Sequence, residues 1–248
     1  MTMLQKTLSE KIPIWQDTLK NILNESGSKV ISEVTVEQAV KGMRGVKSLI
    51  CDTSSVSADK GLMIRNYPIL DIIHIIPEQV LHLLMTGDLP NDEQLLDLQN
   101  QLKAHQNPPD YVWKVLEAMP SDSHPMTMLS VAIQSMRIDS LFVEKFNKGT
   151  VKSDYWKWIL DDGIKLIGVL PSIAAGIYRL RVDKDALIPS DPNLDWGGNF
   201  AHMLGINDGD DFKELMRLYL MLHSDHEGGN VSAFSSLTCL LYTSDAAD

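Results

Sequence analysis

Residues 153–182 read SDYWKWILDDGIKLIGVLPSIAAGIYRLRV, with apolar residues recurring at helical spacing. Ser153 is a good N-cap, and the pattern predicts a helix from this residue through Leu170. Pro171 predicts a kink, after which the helix continues to Val182. The run therefore predicts a helix at the centre of a domain that is packed helix on helix.

Amphipathic patterns on both sides of this run predict further helices. They cover Met1 to about Glu25, Pro77–Met85, Asn91–His105, His124–Ile138 and Phe212–His223. Gly87 and Pro90 mark the turn of a helical hairpin, and Asn91 with Gln94 predicts a capping box. Asp183–Asn199 is rich in proline, glycine and aspartate and is predicted to be a surface loop. About seven helices indicate an all-α fold, without the alternating strands of a Rossmann fold or barrel.

Strand signals are confined to the N-terminal quarter of the chain. Lys29–Val36 is rich in β-branched residues, and Ser48–Thr53 is a short apolar run. We expect these two segments to pair as one minor β-ribbon around Gly42–Gly45.

Composition excludes several classes of protein. The 248 residues carry a net charge of −11, which disfavours binding to nucleic acids and to anionic membranes. Two cysteines, Cys51 and Cys239, cannot form a disulfide framework and indicate a reducing compartment. Apolar stretches such as Phe212–Leu222 are interrupted by charges, so no membrane segment is expected. The first twenty residues lack the pattern of a transit peptide.

Residues 222–233 read LHSDHEGGNVSA and place titratable residues and glycines at a predicted helix end. His223 and His226 could bind a metal ion, assisted by Asp225 or Glu227, but the spacing is not HExxH and the sequence offers no third ligand nearby. Alternatively, a histidine donates a hydrogen bond to a substrate carbonyl while the amides of Gly228–Gly229 bind a carboxylate. The second interpretation is favoured.

The segment HSDHEGGNVSA, with MRLYL just before it, resembles the oxaloacetate-binding segment of citrate synthases, in the form of the mitochondrial enzymes and some bacterial relatives. Further motifs in the family's order are Gly42-Met43-Arg44-Gly45, His124-Pro125-Met126, Tyr155-Trp156, Ile177-Tyr178-Arg179, Leu194-Asp195-Trp196, Asn199-Phe200 and Met203-Leu204-Gly205. The resemblance covers residues 1 to 233.

This resemblance implies a mainly helical homodimer that condenses acetyl-CoA with oxaloacetate and needs no cofactor. His226 would bind oxaloacetate and polarise its ketone, with Asn230 holding the local geometry and His223 in a supporting position. Arg44 and Lys152 match basic positions near the bound CoA. No metal is expected. The compartment would be the bacterial cytosol or the mitochondrial matrix.

The resemblance ends after Ala233, and the family's later motifs, including its catalytic aspartate, do not follow. We therefore expect residues 1–238 to be the N-terminal part of the large helical domain, without the small domain and inactive alone. Residues 239–248 back-translate to a sequence like a library adapter and are expected to be a non-native tail, although a divergent natural terminus is the alternative. A 2-methylcitrate synthase, or a non-enzymatic helical module with an HxxH metal site, remain rival interpretations.

Overall fold

A computed structural model describes residues 1–43, 45–46, 50–182 and 187–226. In these ranges the chain forms eleven α-helices and three short strands, which confirms the predicted mainly helical class. The helices are α1 (Met3–Ser26), α2 (Val36–Val40), α3 (Ile69–Ile72), α4 (Pro77–Thr86), α5 (Asp92–Ala104), α6 (Asp110–Glu117), α7 (Pro125–Ser135), α8 (Leu141–Asn147), α9 (Tyr155–Val182), α10 (Trp196–Leu204) and α11 (Asp210–Leu222). The strands are β1 (Ser54–Ser57), β2 (Gly61–Ile64) and β3 (Tyr67–Pro68).

The chain divides into two compact units. The first unit contains residues 1–5, 73–83 and 88–224, and the second contains residues 6–72 and 84–87 with the described residues from 225 onward. The first unit therefore holds α5 to α11, and the second holds the small sheet.

Helix α9 is the centre of the first unit, where it contacts α5, α7, α8 and α10. Its buried residues join those of α6 and α7 in one apolar cluster that consists of Val112, Leu116, Met128, Ala132, Val169, Ile173 and Ile177. The prediction of one helix continuing past Pro171 to Val182 is confirmed. Ser153 does not cap it, because Lys152–Asp154 forms a short 3-10 turn instead.

The segment Lys152–Val182 is long and apolar enough, by length and composition alone, to cross a membrane. A buried core helix satisfies the same two criteria, and 56% of the most apolar window of this segment is buried inside the protein. The prediction of no membrane segment rested on shorter apolar stretches such as Phe212–Leu222. Helix α9 is apolar because it packs against other helices in the core.

Local capping explains where several helices begin. The side chain of Asn91 accepts from the backbone N–H of Gln94 at 2.9 Å, and the Gln94 side chain accepts from the Asn91 N–H, so the predicted capping box is confirmed. Asp195 caps α10 with its side chain, which accepts from the Gly198 N–H at 2.7 Å. The predicted loop Asp183–Asn199 is therefore wrong at its end, because α10 begins at Trp196.

The second unit contains an antiparallel three-stranded sheet in the order β1-β2-β3, with Ser54 opposite Ile64. The predicted pairing of Lys29–Val36 with Ser48–Thr53 is wrong. A capping box between Thr35 and Gln38 begins α2 at Val36, and residues 50–53 form no strand. The chain reverses at residues 58–60, and β2 begins directly after this turn at Gly61, whose φ of +67° is one that glycine adopts without strain.

Candidate functional site

The segment that contains His223 and His226 directly follows the carboxyl end of helix α11. In the middle of this helix, the Arg217 guanidinium forms bonds of 2.7 and 2.9 Å to the Asp195 carboxylate. Asp195 is also the N-cap of α10, so the ion pair fixes α11 to the beginning of its neighbour. The hydrogen bonds to Asp195 raise the pKa of Arg217, which keeps the guanidinium charged. Helix α11 ends at Leu222, where His223 is the C-cap.

His223 is held by the last turn of α11. Its Nδ1 lies 2.7 Å from the backbone oxygen of Tyr219, and the two rings stack with centroids 4.2 Å apart. A carbonyl oxygen only accepts, so Nδ1 carries the hydrogen, and in a neutral ring Nε2 is then the acceptor nitrogen. The side chain is exposed, so His223 presents Nε2 with a defined orientation at the end of the helix.

His226 belongs to the second unit, where Asp225 holds its backbone. One carboxylate oxygen of Asp225 accepts from the His226 N–H at 2.9 Å, and the other accepts from the Thr53 hydroxyl at 2.5 Å. Asp225 and Thr53 are partly buried, whereas His226 is exposed. The backbone of this histidine is therefore anchored while its side chain is accessible.

Thr53 is the residue near this site that sequence analysis missed. It lies 172 positions before Asp225, directly ahead of β1. A local pattern cannot reveal a contact over that separation, and Thr53 shares no motif with residues 222–233.

The other predicted site residues are not brought to His226 by anything the structure describes. Lys152 is exposed in the first unit, at the start of the 3-10 turn that precedes α9. Arg44 and Asn230 lie outside the described residues, as do Gly228–Gly229 and residues 239–248.

Metal binding was the weaker interpretation of the two histidines. Across residues 1–43, 45–46, 50–182 and 187–226, no three side chains of histidine, cysteine, aspartate or glutamate form a group that could hold a metal ion. Glu227, one of the two acids named in that interpretation, lies outside the described residues.

Two histidines lie in apolar stretches of the sequence, His74 in DIIHII and His82 in VLHLLM, and this pattern predicts core or boundary positions rather than ligands. His82 is buried on α4, and its Nδ1 lies 2.9 Å from the backbone oxygen of Asp88, so this interpretation is confirmed. His74 is exposed, and its assignment is wrong. It lies in the turn between α3 and α4, where the helical stripe is broken. His124, beside Pro125 at the start of a helix, is predicted to cap the helix or to pack, and it caps α7 by accepting from the Met126 N–H at 3.2 Å.

The family and the relatives that this chain is similar to are described as citrate synthases. The family described as "Citrate synthase, C-terminal domain" matches residues 42–246. The mitochondrial citrate synthases of Aspergillus niger and Saccharomyces cerevisiae are each 39% identical over 244 residues, which is 94% of this chain and 51% and 50% of those proteins. Citrate synthase 4, mitochondrial, of Arabidopsis thaliana is 38% identical and covers 93% of this chain and 50% of its own length.

Solved structures with the same fold are also citrate synthases. The enzyme of Pyrobaculum aerophilum aligns with a TM-score of 0.69 at 22% identity, over 81% of this chain and 51% of that one. The Thermoplasma acidophilum enzyme, in ternary complex with carboxymethyl coenzyme A and oxaloacetate, aligns with a TM-score of 0.64 at 20% identity, over 79% and 49%. The chain spans about half the length of the curated relatives it matches.

Proposed function

Because this chain belongs to the citrate synthase family, a family of acyltransferases, we propose that it is part of an enzyme that condenses acetyl-CoA with oxaloacetate to give citrate and CoA. The observation that carries the proposal is His226, an exposed imidazole whose backbone is anchored by Asp225 just after α11. It lies in the segment HSDHEGGN, within the residues that the family match covers.

The chemistry of the reaction explains why a fixed histidine is useful here. The methyl carbon of acetyl-CoA, once it has lost a proton, attacks the ketone carbon of oxaloacetate, and the electron pair of the C=O bond moves onto oxygen. Protonation of that oxygen gives the CoA thioester of citrate, and water then cleaves the thioester bond to release citrate and CoA. An N–H donor directed at that oxygen stabilises the developing alkoxide more than the ground-state ketone. We assign this role to the His226 ring, with His223 as the supporting neighbour that the resemblance implies.

The remaining assignments extend this proposal. Asn230 would hold the geometry after His226, and Arg44 and Lys152 would contact the phosphates of CoA through their positive charges. The named complex of the Thermoplasma relative with carboxymethyl coenzyme A and oxaloacetate supports these two substrates. No further cofactor is required by the reaction as written. By the same resemblance, an aspartate would remove the methyl proton.

Assembly and location follow from the same family. We propose a homodimer, as the resemblance implies. The curated relatives are named mitochondrial, which supports the mitochondrial matrix as the site of action.

The test is a product assay on the full-length polypeptide that contains this chain. Given acetyl-CoA and oxaloacetate, it should release CoA and citrate, detected with a thiol reagent and by mass spectrometry, whereas the 248-residue chain alone should give neither. Propionyl-CoA is the matched alternative substrate, and a preference for it would identify a 2-methylcitrate synthase. A full-length protein that turns over neither thioester would contradict the proposal, as would turnover by the chain alone.

A further inference from the structure

The hydroxyl of Thr53, directly ahead of β1, forms a hydrogen bond with Asp225, the residue before His226. Its Oγ1 donates to Oδ2 of Asp225 at 2.5 Å, and both residues belong to the second unit. A hydrogen bond from a hydroxyl to a carboxylate is among the stronger kinds in proteins. Sequence resemblance assigned no role to Thr53.

Thr53 itself is held firmly. Its backbone oxygen accepts from the Arg65 N–H at 2.7 Å, which continues the pairing of β1 with β2. The Arg65 guanidinium, 14% exposed, contacts the Asp52 carboxylate at 3.0 Å and also donates to the backbone oxygen of Leu84. Cys51 Sγ lies 3.2 Å from Thr53 Oγ1 and donates to the backbone oxygen of Ser54 at 3.5 Å. The threonine hydroxyl therefore has a fixed direction.

Asp225 transmits that direction to the histidine. While Oδ2 is bonded to Thr53, Oδ1 accepts from the His226 N–H at 2.9 Å. A carboxylate held at both oxygens cannot rotate freely about its Cβ–Cγ bond, so the peptide that carries His226 has a fixed acceptor. Without the Thr53 hydroxyl, the carboxylate loses one of its two anchors.

We propose that Thr53 is a positioning residue for His226, acting through Asp225. For its consequence in catalysis, this inference rests on the function proposed above. Thr53 contacts neither His226 nor a substrate in this account. It fixes the carboxylate that holds the histidine's backbone, and so fixes the direction in which the imidazole projects.

The first test measures positioning without activity. The chain contains seven histidines, so labelling with 15N-histidine gives a simple amide spectrum in which His226→Gln identifies the His226 signal. Thr53→Val should move that signal and increase its hydrogen exchange about tenfold, because an anchor of its acceptor is lost. Thr53→Ser, which keeps the hydroxyl, should leave both unchanged. Thr18→Val is the matched control, since the Thr18 hydroxyl bonds only within α1, to Ile14, at 3.0 Å.

Asp225→Asn provides a second variant if Thr53→Val does not fold. It removes the charge of the carboxylate that is bonded to both Thr53 and His226, at a partly exposed position. It should also move the NMR signal of the His226 amide. An unchanged His226 signal in a folded Thr53→Val or Asp225→Asn variant would overturn the inference.

The second test measures the consequence in the full-length enzyme. Thr53→Val should raise KM for oxaloacetate about tenfold and leave KM for acetyl-CoA within about twofold, with Thr53→Ser restoring the wild-type value. A purely structural role would lower thermal stability without this split between substrates. A moved amide signal with unchanged oxaloacetate kinetics would contradict the inference. A wild-type enzyme without turnover would contradict the proposed function, while the amide signal would still decide whether Thr53 positions His226.

Discussion

Glu78 is a buried carboxyl in the first unit. One of its oxygens accepts from the Trp196 N–H at 2.9 Å, at the first residue of α10. It borders a cavity of about 20 Å³, together with the side chains of Gln99 and Ser172. Burial raises the pKa of Glu78 above its ordinary value of 4.5, and the charge of Asp195 adds to this, although the bond from Trp196 opposes it. Ionisation of Glu78 therefore costs the folded state free energy.

Replacing this carboxyl by a neutral isostere should stabilise the protein at neutral pH. The pKa of Glu78 is higher in the folded than in the unfolded state, so its stabilising contribution is complete below pH 4.5 and is lost as pH rises through the folded pKa. Glu78→Gln should raise the free energy of unfolding at pH 7.5 by on the order of 1 kcal/mol, and the gain should vanish near pH 4.5. Urea unfolding at the two pH values measures this, with the exposed Glu117→Gln as control. A Glu78→Gln variant that is less stable at pH 7.5 would contradict the assignment.

Sequence analysis succeeded for residues whose partners lie within a few positions along the chain. Asn91 and His124 cap their own helices, so the residue type and its position were sufficient. Thr53 and Glu78 have partners 172 and 118 positions away, and no local pattern contains that information. The histidines were found because titratable residues beside Gly-Gly are unusual at a helix end.

At the scale of elements, α9 depends on small residues where it meets its neighbours. A Cβ on Gly176 would lie 2.4 Å from the Trp113 ring on α6, and one on Gly168 would lie 2.7 Å from the backbone oxygen of Leu102 on α5. Gly163, on the same helix, has no atom within 4 Å of the equivalent position. Gly168 therefore allows α9 to approach α5 closely, and Gly176 allows it to approach the Trp113 ring. Gly163 has no such role.

Substitution of the two glycines should have opposite effects. Gly176→Ala should destabilise the protein by about 1–3 kcal/mol, because Trp113 must move out of a packed position. Gly163→Ala should stabilise it by about 0.5–1 kcal/mol, because alanine is the better helix former. Both are measured by chemical unfolding with helical circular dichroism. Equal effects of the two substitutions would show that the crossing at Gly176 is not tightly packed.

Element boundaries show where composition misleads. The β-branched residues of Lys29–Val36 favoured a strand, but the capping box of Thr35 with Gln38 begins a helix there, and the strands begin at Ser54. The loop predicted to reach Asn199 ends earlier, because Asp195 caps α10. In both places a specific side-chain hydrogen bond outweighs the average preference of the segment.

At the scale of the whole molecule, family membership rests on the family match over residues 42–246. The sequence identified the helical class and the family, and both are confirmed, whereas the role of the segment after α11 stays a prediction. Periodicity could not identify the two compact units, because they are built from segments distant in sequence. For the same reason, the hydrogen bond between Thr53 and Asp225 could not be predicted from the sequence.

The most direct test of the central claim compares two histidines in the full-length enzyme by steady-state condensation kinetics. His226→Ala removes the donor assigned to the developing alkoxide, and His74→Ala removes an exposed imidazole in the turn between α3 and α4. We predict that His226→Ala lowers kcat/KM by on the order of a hundredfold or more, the effect of losing one oxyanion donor, while His74→Ala stays within about twofold of wild type. Comparable activity of the two variants would contradict the assignment of His226 to the ketone of oxaloacetate.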